Sequence, residues 1–167
     1  MLTIEELVND TQSRLDFQWL AGTEAAATIE LDNGVASADL IGHLNLIHPK
    51  RIQVLGTEEI NYYYKFDPAR RLYHFTELIH GGVPAMIVAG SSQAPADLID
   101  LCNQLHVPLL NTQHDAAELI DVLRVYLAKR LAPTTLMHGV FLDVLGLGVL
   151  ITGESGLGKS ELALELI

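Results

Sequence analysis

Residues 153–160 read Gly-Glu-Ser-Gly-Leu-Gly-Lys-Ser, which satisfies the phosphate-loop pattern G-x-x-x-x-G-K-[ST] in full. The spacing dictates a chemistry. Gly153, Gly156 and Gly158 allow backbone angles that a Cβ forbids, so the peptide N–H groups can turn inward around a polyphosphate. The helix that should follow adds unpaired N–H groups and the positive end of its dipole. Lys159 would meet the β- and γ-phosphates as a point charge, and the Ser160 hydroxyl would be an oxygen ligand for Mg²⁺. Glu154 and Ser155 occupy variable positions of the pattern and need no role of their own. The candidate nucleotide-binding loop comprises Gly153, Glu154, Ser155, Gly156, Leu157, Gly158, Lys159 and Ser160.

The flanking residues suit that role. Val149–Thr152 is a short apolar, β-branched run, the pattern of a buried strand. Residues 160–167 are rich in strong helix formers. Val140–Val144 forms a second strand, and Gly146-Leu147-Gly148 between the two is a hairpin signal. An antiparallel hairpin leading into a phosphate loop is not the usual order, in which the loop follows the first strand of a parallel sheet. Together with the linker-like Ala132-Pro133-Thr134-Thr135, it places a boundary near residue 132. The expected organisation is a domain at 1–131, a linker at 132–137 and the start of a second domain at 138–167.

Upstream, Thr3 and Glu6 form a capping box ahead of Ile4, Leu7 and Val8 on one helical face. Leu15, Phe17 and Trp19 alternate with polar residues, predicting a strand that ends at Gly22. Asp32-Asn33-Gly34 predicts a turn, and residues 41–46 carry no clear pattern. Arg51–Gly56 reads as a strand and Thr57–Tyr64 as a helix. Phe75–Ile79 begins a short helix before Gly81-Gly82. Pro84–Ala89 reads as a buried strand, Pro95–Leu105 as a helix with Leu98, Ile99, Cys102 and Leu105 inward, and Val107–Leu110 as a strand. Asp115–Leu131 is the clearest helix. Leu119, Leu123, Tyr126, Leu127 and Leu131 form its stripe, with acids leading and bases trailing. Strands alternating with helices at this spacing imply an α/β domain with a largely parallel sheet.

The chain of 167 residues suffices for one domain plus part of another. Its net charge of −11 argues against a general nucleic-acid or anionic-membrane binder, and no apolar run approaches a membrane span. One cysteine, Cys102, excludes an intramolecular disulfide and points to a reducing, cytoplasmic setting. The first seven residues lack the build of a signal peptide. The seven histidines (His43, His48, His74, His80, His106, His114 and His138) show no tight metal spacing. Cys102 fits an apolar helix stripe. Asp143 reads as an exposed strand carboxylate or a site contact, and Lys50-Arg51 as an anion site or a solvated pair. Tyr62-Tyr63-Tyr64 reads as a base-stacking surface or as half-buried helix aromatics.

From His138 to Ile167, the His-Gly-Val leader, the hairpin and the loop running into Ser-Glu-Leu-Ala-Leu-Glu-Leu closely resemble the bifunctional HPr kinase/phosphorylase family. His48–Gly56 and Val107–Leu110 resemble that family's amino-terminal domain. The resemblance implies phosphorylation of a serine of HPr, the phosphocarrier protein of the sugar phosphotransferase system. The phosphoryl donor would be ATP or pyrophosphate, with Mg²⁺, and inorganic phosphate would reverse the reaction. It implies a bacterial, cytoplasmic hexamer whose catalytic P-loop kinase domain is similar to phosphoenolpyruvate carboxykinase. The amino-terminal domain would be similar to a nucleotide-sugar-binding domain of cell-wall ligases. Lys159 and His138 fall on two catalytic positions of the family, and Ser160 on its first magnesium ligand. The family's proton-exchanging aspartate and second metal ligand lie beyond residue 167. The chain is therefore expected to be part of a longer enzyme and to be inactive alone.

Two other readings remain at this point. Residues 1–131 could be a metabolite-sensing or oligomerisation module without activity, or the loop could belong to an unrelated ATPase or GTPase. An Asp-Asp pair on the next strand would favour the kinase, and N-K-x-D a GTPase.

Overall fold

A computed structural model describes residues 2–31, 36–90, 92–133 and 135–166. The turn expected at Asp32-Asn33-Gly34 lies outside the described residues. The chain divides into two compact units, 1–132 and 133–167.

The first unit is an α/β sandwich. Helix α1 spans Ile4–Leu15. Its capping box forms as expected: the Glu6 amide donates to Thr3 Oγ1 at 3.2 Å, and the Thr3 amide donates to Glu6 Oε2 at 3.0 Å. Strand β1 is Gln18–Ala21, β2 Ile41–His43 and β3 Ile52–Leu55. Helices α2, Thr57–Tyr63, and α3, Pro68–His80, precede β4, Met86–Ala89. Helix α4, Ala96–Gln104, β5, Leu109–Thr112, and α5, Ala116–Arg130, complete the unit. The sheet order is β1-β5-β4-β3-β2. Strands β2 to β5 run parallel, and β1 joins the β5 edge antiparallel.

Alternation along the strands supplies two cores. On one face Ile52, Val54, Ile87, Ala89 and Leu110 pack with α1 and α5. On the other, Leu55, Met86, Val88 and Leu109 pack with α2, α3 and α4. The helix residues at the contacts, such as Leu119, Leu123 and Leu98, are wholly buried. Period-2 strands buried on both faces read as continuous apolar runs, which is why β4 is legible from its residues alone.

Several elements differ from their sequence expectation. Leu15 ends α1 rather than starting a strand, and its carbonyl accepts from the buried Thr112 hydroxyl. Helix α3 begins seven residues before Phe75, where Asp67 caps the Arg70 amide at 3.0 Å and Pro68 takes the first helical position. In α4 Leu98, Leu101 and Cys102 are buried, and Ile99 and Leu105 are half-buried at its margin. Strand β5 is Leu109–Thr112 rather than Val107–Leu110, because pairing with β4 sets its register.

The second unit is the hairpin of β6, Gly139–Val144, and β7, Leu147–Thr152, followed by α6, Lys159–Glu165. The turn is the dipeptide Leu145-Gly146, at φ 53° and 83°, while Leu147 and Gly148 lie in the strand. Positive φ at both central residues matches the right-handed twist of the strands. Asp143 is an exposed carboxylate on β6, one of the two readings its position offered, and its Oδ1 accepts from the Gly146 amide of the turn at 2.8 Å. Helix α6 packs on both strands, yet only Leu142 and Ala163 are buried among the described residues of this unit.

Candidate functional site: the phosphate loop

Strand β7 delivers the chain to Gly153, and α6 receives it at Lys159. Gly156 sits at φ 88° with open space where a Cβ would stand, so backbone angle alone favours glycine there. Gly158 caps α6 in the left-handed conformation at φ 75°, and a Cβ on it would come within 2.8 Å of Glu161 Oε2. That contact gives Glu161 a place beside the loop that spacing alone does not reveal.

The most informative side chain is Lys159. Its Nζ donates to the carbonyl oxygens of Gly153 at 2.8 Å and Glu154 at 2.6 Å. The ammonium crosses back over the loop and ties its first residues to the first residue of the helix. An ammonium has three donors and no acceptor, so one donor remains after both carbonyls are satisfied. The clasp holds the first loop residues to the start of the helix and fixes a positive charge beside the Gly153 and Glu154 carbonyls. Lys159 and Gly158 are half-buried, while the other loop residues from Gly153 to Leu157 and Ser160 are exposed. Ser160 stands in the first turn of α6, where helix N–H groups lack intrahelical acceptors.

His138 immediately precedes β6. The pairing of Gly139 with Thr152 brings it to the same end of the hairpin as Gly153. It is exposed. The hairpin register therefore leaves His138 and the start of the loop at one end of the second unit.

Several chemistry-bearing residues of the first unit serve packing or paired charge. His43 Nδ1 lies 3.0 Å from Glu59 Oε1, and Glu59 Oε2 accepts from the Gly56 amide at 2.9 Å. His106 faces Glu24 at 3.1 Å; the Glu24 carboxyl is lowered by a backbone hydrogen bond and by that histidine. Cys102 is wholly buried, and burial pushes its thiol up to about 12, away from nucleophilic use. Tyr63 is buried edge-on against Phe75 at 4.8 Å, with the Arg71 guanidinium 5.2 Å from its ring centre. Its hydroxyl is raised by burial and by Asp97. Tyr62 and Tyr64 stay partly exposed on either side. Among the described residues no group of three or more His, Cys, Asp or Glu side chains could hold a metal ion. No helix among them is long and apolar enough to cross a membrane.

Comparison with known proteins covers both units. Residues 2–127 match the family model described as HPr Serine kinase N terminus, and residues 129–167 match HPr Serine kinase C-terminal domain. The chain is 64% identical over 167 residues to the HPr kinase/phosphorylase of Bordetella avium, covering all of this chain and 54% of that protein. The same identity and coverage hold for the HPr kinase/phosphorylase of Bordetella pertussis. With that of Burkholderia cenocepacia it shares 48% identity over 172 aligned positions, 99% of this chain and 53% of that protein. The chain thus spans about half the length of the curated relatives it matches. With both family models matched in order and the loop closed as described, this chain belongs to the HPr serine kinase family.

Proposed function

We propose that this chain serves a protein kinase/phosphorylase that phosphorylates a serine of HPr with ATP or pyrophosphate and reverses the step with inorganic phosphate. The observation that carries the reading is the Lys159 clasp on the Gly153 and Glu154 carbonyls, inside a loop of the phosphate-binding pattern. The family match supports the choice of HPr over other acceptors, since the relatives bear the name HPr kinase/phosphorylase.

The donor set fits a magnesium-bound polyphosphate. Bound there, the nucleotide or pyrophosphate would supply an activated phosphoryl group. Gly153 to Gly158 would turn their amides to the phosphate oxygens, and the free donor of Lys159 would lower the cost of their negative charge. Ser160 would offer its hydroxyl to Mg²⁺. His138, at the same end of the hairpin as the loop, would serve as an acid–base group beside the transferred phosphoryl. On this reading residues 1–131 are a regulatory or assembly domain, 132–137 a linker, and 138–167 the opening of a catalytic domain similar to phosphoenolpyruvate carboxykinase. The working protein is a cytoplasmic hexamer that regulates the sugar phosphotransferase system and binds neither nucleic acid nor membrane. The net charge of −11 and the single buried thiol support that setting.

The test is a phosphoserine assay on purified HPr, using an enzyme of the relatives' length that carries this sequence. Lys159→Ala is expected to cut turnover by at least ~100-fold, the size of a lost charge-stabilising donor at a reacting group. Turnover near that of the unmodified enzyme would sink the assigned role. The 167-residue chain, whose loop stands almost wholly exposed, is expected to show no turnover in the same assay.

A further inference from the structure

The connection from β2 to β3, residues 44–51, is a built loop rather than a slack one. The wholly buried Gln53 pins it from below: Oε1 accepts from the Asn45 amide at 2.8 Å, and Nε2 donates to the His48 carbonyl at 2.9 Å. Asn45 Oδ1 accepts from the Ile47 and His48 amides at 2.8 and 3.2 Å, closing an Asx turn. Behind it, Gly81 at the end of α3 lies so close to Pro49 that a Cβ would stand 2.6 Å from that ring. Arg51 is fixed as well. Its Nη2 donates to the His43 carbonyl at 3.1 Å, and its guanidinium lies over Gly42, where a Cβ would come within 3.1 Å of Nη1.

This scaffold borders a hollow of about 560 Å³ lined by Asp39, Ile47, His48, Pro49, Lys50 and Arg51. Among the described residues, none of the ion pairs includes Lys50 or Arg51. Two adjacent cations therefore face a cavity of ligand size, and Asp39, the carboxylate on its wall, forms no ion pair with either. The loop that carries them has already lost its conformational freedom, so binding there does not have to order it.

We infer that this hollow is a second anion site, which takes a small oxyanion of the phosphate-monoester or carboxylate kind through Lys50 and Arg51. Asp39 on the same wall sets the selectivity. It repels a polyanion and offers an acceptor to a hydroxyl on a ligand carrying a single anionic group. The site lies wholly within the first unit and shares no residue with the phosphate loop, so it stands or falls apart from the proposed reaction.

The experiment is a titration of the 167-residue chain with inorganic phosphate at constant ionic strength, followed by residue-resolved amide shifts. Constant ionic strength removes the general screening response of surface cations. Saturable shifts at Ile47, His48, Lys50 and Arg51 are expected, separate from any response of residues 153–160. Lys50→Gln, an exposed change that spares the fold, should weaken the first set about tenfold, and Asp39→Asn should tighten it. Arg51→Lys should also weaken it, because a point charge does not replace the planar fork. If Arg51→Lys perturbs the fold, Lys50→Gln decides alone. Shifts confined to 153–160, a drift that never saturates, or an unchanged affinity in Lys50→Gln would each overturn the inference.

Discussion

Within residues 1–132, Leu119, Leu123 and Leu127 on α5 are wholly buried against strands whose other face is also covered. Within 133–167, Leu145, Leu147 and Leu164 are 100%, 70% and 76% exposed, and Phe141 is 72% exposed on its strand. Both regions are apolar and regular, but only the first has enough elements to cover what it exposes. A two-stranded hairpin with one short helix has one face to bury and little to bury it against; isolated hairpins are marginal in water. The phosphate loop rests on that hairpin, so its shape depends on local devices: glycine angles, the Leu145-Gly146 turn and the Lys159 clasp. The contrast separates the buried core, which lies in the first unit, from the loop of phosphate-binding pattern, which lies in the second.

The sharpest way to break the comparison is to cut one methyl-rich side chain from each region. Leu123→Ala should destabilise the chain by about 2–5 kcal/mol in urea unfolding, while Leu164→Ala should change it by less than about 0.5 kcal/mol. Equal losses would mean that the second unit has a core of its own. A smaller effect is expected at the first helix. Thr3→Ala removes the acceptor for the Glu6 amide and should cost about 1 kcal/mol in the same measurement.

High pH should loosen the first unit through Tyr126. Burial, then the hydrogen bond to Asp10 Oδ2 at 2.6 Å, raises its hydroxyl from the ordinary 10.0 to about 12. The folded state holds that proton more tightly than the unfolded one. The contribution is therefore fully present below pH 10 and is lost as pH rises through about 12. Unfolding curves of Tyr126→Phe should be flatter than those of the unmodified chain across that window; identical slopes would remove Tyr126 as the cause. The smallest effect sharpens the second unit. Leu145→Asn places a residue that tolerates positive φ in the hairpin turn and should protect the β6 and β7 amides from exchange by about 0.5 kcal/mol.

Much of the molecule was legible in short contiguous stretches. The Thr3/Glu6 capping box, the stripe of α5 with its leading acids, the apolar run of β4 and the glycine-lysine spacing of the loop all carry their signal within one or two turns of chain. Their physics is local, whether hydrogen bonding to the next turn, period-3.6 burial or permitted φ. The Asp67-Pro68 start of α3 was equally local, although the apolar run at Phe75–Ile79 pointed to a later beginning. Other features exist only once distant residues meet. Leu15 follows an alternating pattern but stays helical, because α1 continues until its carbonyl reaches Thr112, 97 residues away. Strand β1 takes its antiparallel place from the exposed edge of β5, and three residues at 41–43 become a strand only because β3 pairs beside them. In the second unit, spacing alone named Lys159 as the phosphate lysine. Only the folded loop shows that it binds its own carbonyls first, because that bond needs the chain to turn back on itself through the left-handed glycines at 156 and 158.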